Sequence, residues 1–277
     1  MKHPQEHIMT EVEKEEALCL QKEFEWVINK EVHIILKQLQ TILVECSRRF
    51  PLTLFGNEGP YKSDKIILAS SQDTLKTIVN LNGDSISFAD IHLKIHRHHQ
   101  HQTQTYKTSI LKEHPWKLHQ IQDAGNHLQF ALYHIDNVDD GYQFKSSEEV
   151  LHTLDNILNC LQRGRTSLIV PRKRTIDDLM KSRNMKSLTP PLPEDLAISF
   201  YIQSHKLICA AYQLSNVQGT MKFEQYQAEN SIPWLNEVLV LFTVALQLCQ
   251  QLKDKINVFA QYKDFIVSPN LSTPSAT

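Results

Sequence analysis

Residues 233–259 read PWLNEVLVLFTVALQLCQQLKDKINVF. Leu235, Val238, Phe242, Ala245, Cys249, Leu252, Ile256 and Phe259 recur at alternating spacings of three and four, which puts them on one stripe of an α-helix. Pro233 suits the first turn, where a missing N–H costs nothing. Leu239, Leu241, Leu246 and Leu248 widen the apolar arc beyond a coiled-coil seam. A helix this apolar has to be buried by several neighbours rather than by one.

The neighbours are legible elsewhere in the chain. From Glu11 to Arg49 a stripe of Phe24, Ile28, Val32, Ile35, Leu39, Ile42 and Cys46 predicts one long helix, ended by Phe50-Pro51. Pro115-Trp116 opens another, striped by Leu118, Ile121, Gly125, Leu128, Leu132 and Ile135 and broken at Asp139-Asp140-Gly141. A capping box of Ser146 and Glu149 starts the next, with Val150, Leu154, Ile157 and Leu161 on one face and Gly164 as its C-cap. Wide stripes on so few helices predict an antiparallel four-helix bundle that pairs the N- and C-terminal helices. Its core would include Ile35, Leu39, Ile42, Leu128, Leu154, Leu235, Phe242, Leu246 and Leu252.

Between the helices the period falls to two. Leu75, Thr77, Val79 and Leu81 share one strand face, with Lys76, Ile78 and Asn80 on the other. Asn82-Gly83-Asp84 is a turn, and Ala89, Ile91, Leu93 and Ile95 then alternate with Asp90, His92, Lys94 and His96. Lys65–Ser70 and a weaker run from Gln104 to Leu111 complete a meander. Leu196 to Ile202 and Leu207 to Ala211 alternate again, joined at Gln203–His205, with a helix as the alternative there. The predicted fold is α+β. Residues 11–50, 113–164 and 231–262 form the helical domain. Residues 51–112 and 165–230 form a separate antiparallel β module built from two discontinuous segments. Residues 1–10 and 267–277 are flexible tails.

Composition narrows the function. Seven glycines in 277 residues is roughly a third of ordinary usage, and neither a P-loop nor a dinucleotide fingerprint is present. With 29 basic and 31 acidic residues there is no global positive field for nucleic acid. The five cysteines are scattered, odd in number and mostly in apolar stretches, as expected of buried thiols in a reducing compartment. Met1 to Glu16 does not read as a signal peptide, and Val238 to Leu252 is short for a bilayer span, so a cytoplasmic protein without direct membrane insertion is expected.

Site motifs are sparse. No G-x-S-x-G elbow, H-E-x-x-H or activated cysteine signature occurs. His92, His96, His98, His99 and His101 are dense enough to suggest zinc. A metal-binding or hydrolytic protein using His92–His101 is therefore the alternative function. The spacing is irregular, and a solvated loop is the simpler reading. Arg172-Lys173-Arg174 is a short basic run of the nuclear-import kind, more simply read as an exposed loop. Ile78, opposite the core-facing residues of its strand, is the candidate partner contact.

Several stretches resemble the Rogdi family. Glu31-Val32-His33 with Leu36-Lys37-Gln38-Leu39-Gln40 is similar to its first helix. Residues 116–124, WKLHQIQDA, are similar to its second, and Tyr142-Gln143-Phe144-Lys145 to the segment before its third. Ile232-Pro233-Trp234-Leu235-Asn236 and residues 246–256, LQLCQQLKDKI, resemble its C-terminal helix. The resemblance implies no enzyme activity, no cofactor and no metal. It implies a scaffold subunit of a RAVE-like (rabconnectin-3) complex that promotes V-ATPase assembly. The implied partners are large WD-repeat rabconnectin-3-type proteins and V-ATPase peripheral-sector subunits. The implied location is the cytoplasm, at endosomal or vesicle membranes through partners, with the nucleus or its envelope as a second site. A monomer is expected, with a dimer as the alternative. Two stretches depart from the family pattern: Ser215 to Asn230, which is shorter, and the His96–His101 loop.

Overall fold

The computed structural model describes residues 10–54, 62–97, 102–139, 141–172, 174–217 and 220–260. Thr10 starts the first helix with a capping box: its hydroxyl accepts the Glu13 N–H at 3.3 Å and the Glu13 carboxylate accepts the Thr10 N–H at 2.6 Å. Helix α1 (Glu11–Trp26) passes through a π-helical turn, Val27–Glu31, into α2 (Val32–Arg49). The sequence predicts one unbroken helix here. The π turn inserts a five-residue step, Val27 to Val32, and rotates the stripe. The buried residues of α2 are therefore Val32, Leu36, Leu39, Leu43, Cys46 and Ser47, and Ile35 and Ile42 lie half-buried on its flank. None of α1's residues is buried.

Helix α3 (His119–Asp136) and α4 (Ser147–Ile169) form an antiparallel hairpin, and the last helix, α7 (Pro233–Ala260), lies between α2 and α4. Ion pairs fix its direction. Against α2, Arg49 meets Glu237 at 2.9 Å and Glu31 meets Lys255 at 2.7 Å. Against α4, Asp155 meets Lys253 at 2.6 Å and Arg165 Nε donates to Thr243 Oγ1 at 3.2 Å. Helix α7 thus runs antiparallel to both. Gln40 Nε2 donates to Asp136 Oδ1 at 2.7 Å, joining α2 to α3. The sequence predicts that the first helix meets the last; α2 does so, and α1, none of whose residues is buried, touches it where Phe24 stacks on Phe259.

The strands make one eight-stranded antiparallel sheet. Strands β1 (Ser63–Ala69), β2 (Leu75–Asn82), β3 (Ser85–Arg97) and β4 (Gln102–Ile110) form a meander, with β5 (Trp116–Lys117) on β3. Strands β6 (Leu196–Gln203), β7 (Lys206–Val217) and β8 (Thr220–Ser231) form a second. The two join where β1 meets β8, at Ala69 and Glu229, with Asn230 Nδ2 donating to Ile67 O at 2.9 Å. One sheet is therefore assembled from two distant segments, as the alternation patterns imply. The predicted turns are present: Gly83 has φ 60° between β2 and β3, and Ser204 has φ 58° between β6 and β7. The buried Thr77 hydroxyl of β2 has no hydrogen-bond partner among the described residues, and it lies close enough to the Cys209 thiol of β7 to favour its ionisation. Two strands, β1 and β8, lie between them in the sheet, so the sheet curls around this interior.

Four local expectations are corrected. Trp116-Lys117 is strand, not helix start, because it pairs with Ile86 and Ser85 and the Leu118 N–H donates to Asp84 O at 2.7 Å. Gly164 is not a C-cap: α4 continues to Ile169, and Gly164 is where the Phe242 ring of α7 approaches the backbone. The box at Ser146 is half formed, since Glu149 returns its carboxylate to the Lys145 N–H at 2.7 Å. Within 165–195, read from the sequence as irregular chain, lie the short helices α5 (Ile176–Met180) and α6 (Arg183–Lys186), started by Thr175 and Ser182. Strand β8 went unread because its pattern is polar; Ala228 is its one buried residue among those described.

Helices and sheet meet at β6, chiefly through Gln120. Its Nε2 donates to Ile202 O and Ser167 O, and its Oε1 accepts the Ile202 N–H, each at 2.8 Å. The amide thereby acts as one more rung on the β6 edge while holding α4. Buried side chains of both parts join one hydrophobic cluster.

Two outcomes are expected. A Cβ on Gly164 would stand 2.9 Å from two atoms of the buried Phe242 ring. Gly164→Ala should therefore be destabilising, about 1–3 kcal/mol of overpacking outweighing ~1 kcal/mol of helix propensity. In a Phe242→Leu background the same change should be neutral or stabilising by thermal melting. Gln120→Leu should cost about 2–4 kcal/mol in urea unfolding, because the Ile202 N–H and two carbonyls lose their partner in a buried place.

Candidate functional site

The β2 register sets out the face that carries the predicted contact. Leu75, Thr77, Val79 and Leu81 point inward and are buried. Ile78 points the other way and is half-buried, paired with Ile67 on β1 and Asp90 on β3. Ile67 is 51% exposed. The neighbouring row on this face runs Ala69, Lys76, His92 and Lys107. An apolar pair thus sits beside charged residues on an outward sheet face. His92 Nε2 lies 3.2 Å from Asp90 Oδ2.

Of the histidine run, only the His92 side chain is among those described. His98, His99 and His101 lie outside the described residues. His92 is engaged with Asp90, and among the described residues no three His, Cys, Asp or Glu side chains group as metal ligands. Of the predicted core residues, Leu39, Leu128, Leu154, Leu235, Phe242 and Leu252 are buried. Ile35, Ile42 and Leu246 are half-buried and packed against the same cluster. On α7 the fully buried position is Ala245, because Leu246 sits one step around the helix from the stripe. By length and composition α7 could cross a bilayer. Here its stripe is occupied by α2 and α4 instead.

A cleft of about 360 Å³ opens beside β6, lined among others by Lys117, His119, Arg172, Arg174, Phe200 and Tyr201. Sequence reasoning missed it because its residues come from β5, the start of α3, the chain after α4, and β6. The basic run at 172–174 and the Trp116-Lys117 and Phe200-Tyr201 pairs were the available signals. Arg172 is held to Asp123 at 2.5 Å. Burial pushes the Tyr201 hydroxyl up to about 12, and this hydroxyl accepts a hydrogen bond from Gln227 Nε2 at 2.9 Å.

The cysteines divide by environment. Cys46, Cys209 and Cys249 are buried, and burial raises all three thiols, Cys209 and Cys249 to about 12. Cys160 is half-buried and also raised, chiefly by burial, while Cys19 is exposed on α1. A thiolate is the reacting species. A disulfide reagent at neutral pH should therefore titrate Cys19 rapidly, Cys160 slowly and the other three only on unfolding. Fast reaction of Cys249 in mass-mapped peptides would contradict the burial of α7.

The family model for the Rogdi leucine zipper containing protein matches residues 23–225. Protein rogdi of Drosophila melanogaster is 59% identical over 269 residues, covering 97% of this chain and 98% of that protein. The protein rogdi homolog of Homo sapiens is 39% identical over 275 residues, covering 89% and 94%, and that of Danio rerio is 39% identical over 285 residues, covering 93% and 99%. The chain belongs to the Rogdi family.

Proposed function

We propose that this chain is a non-enzymatic adaptor subunit of a RAVE-like (rabconnectin-3) complex that promotes V-ATPase assembly and so organelle acidification. Its partners are large WD-repeat proteins and V-ATPase peripheral-sector subunits. It works in the cytoplasm, at vesicle or endosomal membranes through those partners, and as a monomeric subunit. Family membership over nearly the whole chain supports the reading. The observation that carries it at residue level is the outward Ile67–Ile78 pair with charged neighbours, the apolar centre and polar rim that protein interfaces use. In this reading α2, α3, α4 and α7 act as a four-helix bundle whose stripes are consumed internally, and the curled sheet presents the docking face.

Immobilised protein, wild type and Ile78→Asp, should be exposed to native cytosol and the captured proteins identified by mass spectrometry. The wild type should retain a WD-repeat protein and V-ATPase subunits. Ile78→Asp should reduce that capture by about tenfold or more, because a carboxylate would be desolvated at an apolar centre. Helical circular dichroism and the melting temperature should hardly change. Undiminished capture would move the interface away from this face, and a collapsed melting temperature would show that Ile78 is core. Absence of both partner classes from the wild-type eluate would overturn the adaptor reading.

A further inference from the structure

Strand β6 is the last strand of the sheet, and its outer edge is closed at two rungs and open at one. The Ile202 N–H and C=O face outward and are taken by the Gln120 amide. The Ile198 N–H also faces outward and meets Met185 Sδ at 3.2 Å. Alternate residues of a strand present their main-chain groups to the same side. Phe200 therefore directs its N–H and C=O into the cleft between these two plugs, and no protein group among the described residues takes them. Its ring is held aside by an edge contact with Trp116 at 5.8 Å. An open rung on an edge strand is a template for another chain's main chain.

The cleft walls specify what that chain carries. Lys117, His119, Arg172 and Arg174 all line the cleft, and no carboxylate is among the described lining residues. Lys117 is committed to Asp84 at 3.1 Å and Arg172 to Asp123 at 2.5 Å. Arg174 is exposed and within Coulombic reach of Asp178, but no ion pair within 4 Å holds it among the described residues, and the Asp178 carboxylate hydrogen-bonds Thr175 as a helix cap. A small anion could use Arg174 and the Phe200 N–H but would leave the Phe200 carbonyl unmet. An extended peptide satisfies all three. From Ile198 to Ile202 is roughly 13 Å of strand, room for about three residues between the plugs.

We propose that this cleft binds an extended acidic segment of a partner protein, which adds as a short strand at Phe200 and sets a carboxylate on Arg174. The site is distant in register from the Ile67–Ile78 face and does not depend on it. The test uses the full chain and a fluorescein-labelled GEVDVEG peptide, read by anisotropy at low salt. Saturable binding is expected. Arg174→Glu, the lysine counterpart GKVKVKG, and a peptide N-methylated at the central aspartate should each weaken it by about tenfold. Arg174→Glu should melt with the wild type, and Ile78→Asp should bind the peptide normally, so this proposal and the docking face fail separately. No saturable binding at millimolar peptide, equal binding by Arg174→Glu, indifference to N-methylation, or full competition by inorganic phosphate at the peptide's own concentration would each overturn it.

Discussion

The wide apolar arc of α7 has to leave water, and most of the helical architecture follows from how it does so. A stripe from Leu235 to Phe259 is too broad for one partner, so α2 and α4 close on it from two sides. Each buried aliphatic or aromatic side chain in such a stripe contributes about 1.5–3 kcal/mol. Close approach then demands space. Where α4 crosses Phe242 the chain has Gly164, with no side chain to hold the helices apart. The ion pairs Arg49–Glu237, Glu31–Lys255 and Asp155–Lys253 lie on the rims of these contacts. Exposed or half-exposed pairs of this kind contribute little energy, and they serve here to fix register and direction.

Curling disposes of the inner face of the sheet, and capping disposes of one edge. Gln120 does for β6 what a neighbouring strand would do, and it does so from the first turn of α3 while also binding Ser167 O of α4. A buried amide with its donors and acceptor satisfied rigidifies, whereas the same amide unpartnered would be costly. Thus one residue both ends the sheet and attaches it to the helices. The cap covers Ile202 alone, which leaves the Phe200 rung open and creates the basic cleft beside it.

The adaptor role proposed above needs surface that folding has not consumed. In this chain the buried helical stripes are spent, and the outward side of β1–β3 and the β6 edge are two of the surfaces that remain. The two differ in chemistry: one is an apolar pair beside mixed charge, the other a cationic slot with main-chain groups.

The sequence by itself determined much of the element inventory. Helical stripes at three-four spacing marked α2, α3, α4 and α7, and period-two alternation marked β2, β3, β6 and β7 and more weakly β4, with β1 completing the meander, because burial on one face leaves a periodic trace. It also placed Ile78 on the face opposite Leu75 and Val79. It did not reveal the π turn at Val27–Glu31, the strand at Trp116-Lys117 or the packing role of Gly164, since each depends on a neighbour distant in the chain. Strand β8 was invisible because its exposed, polar residues leave no hydrophobic period. The β6 cleft was equally hidden: Lys117, Arg174 and Phe200 become one site only when the sheet edge, the start of α3 and the segment after α4 are brought together. Periodicity records what a residue does within its own element, whereas contacts between elements are written only in the tertiary structure.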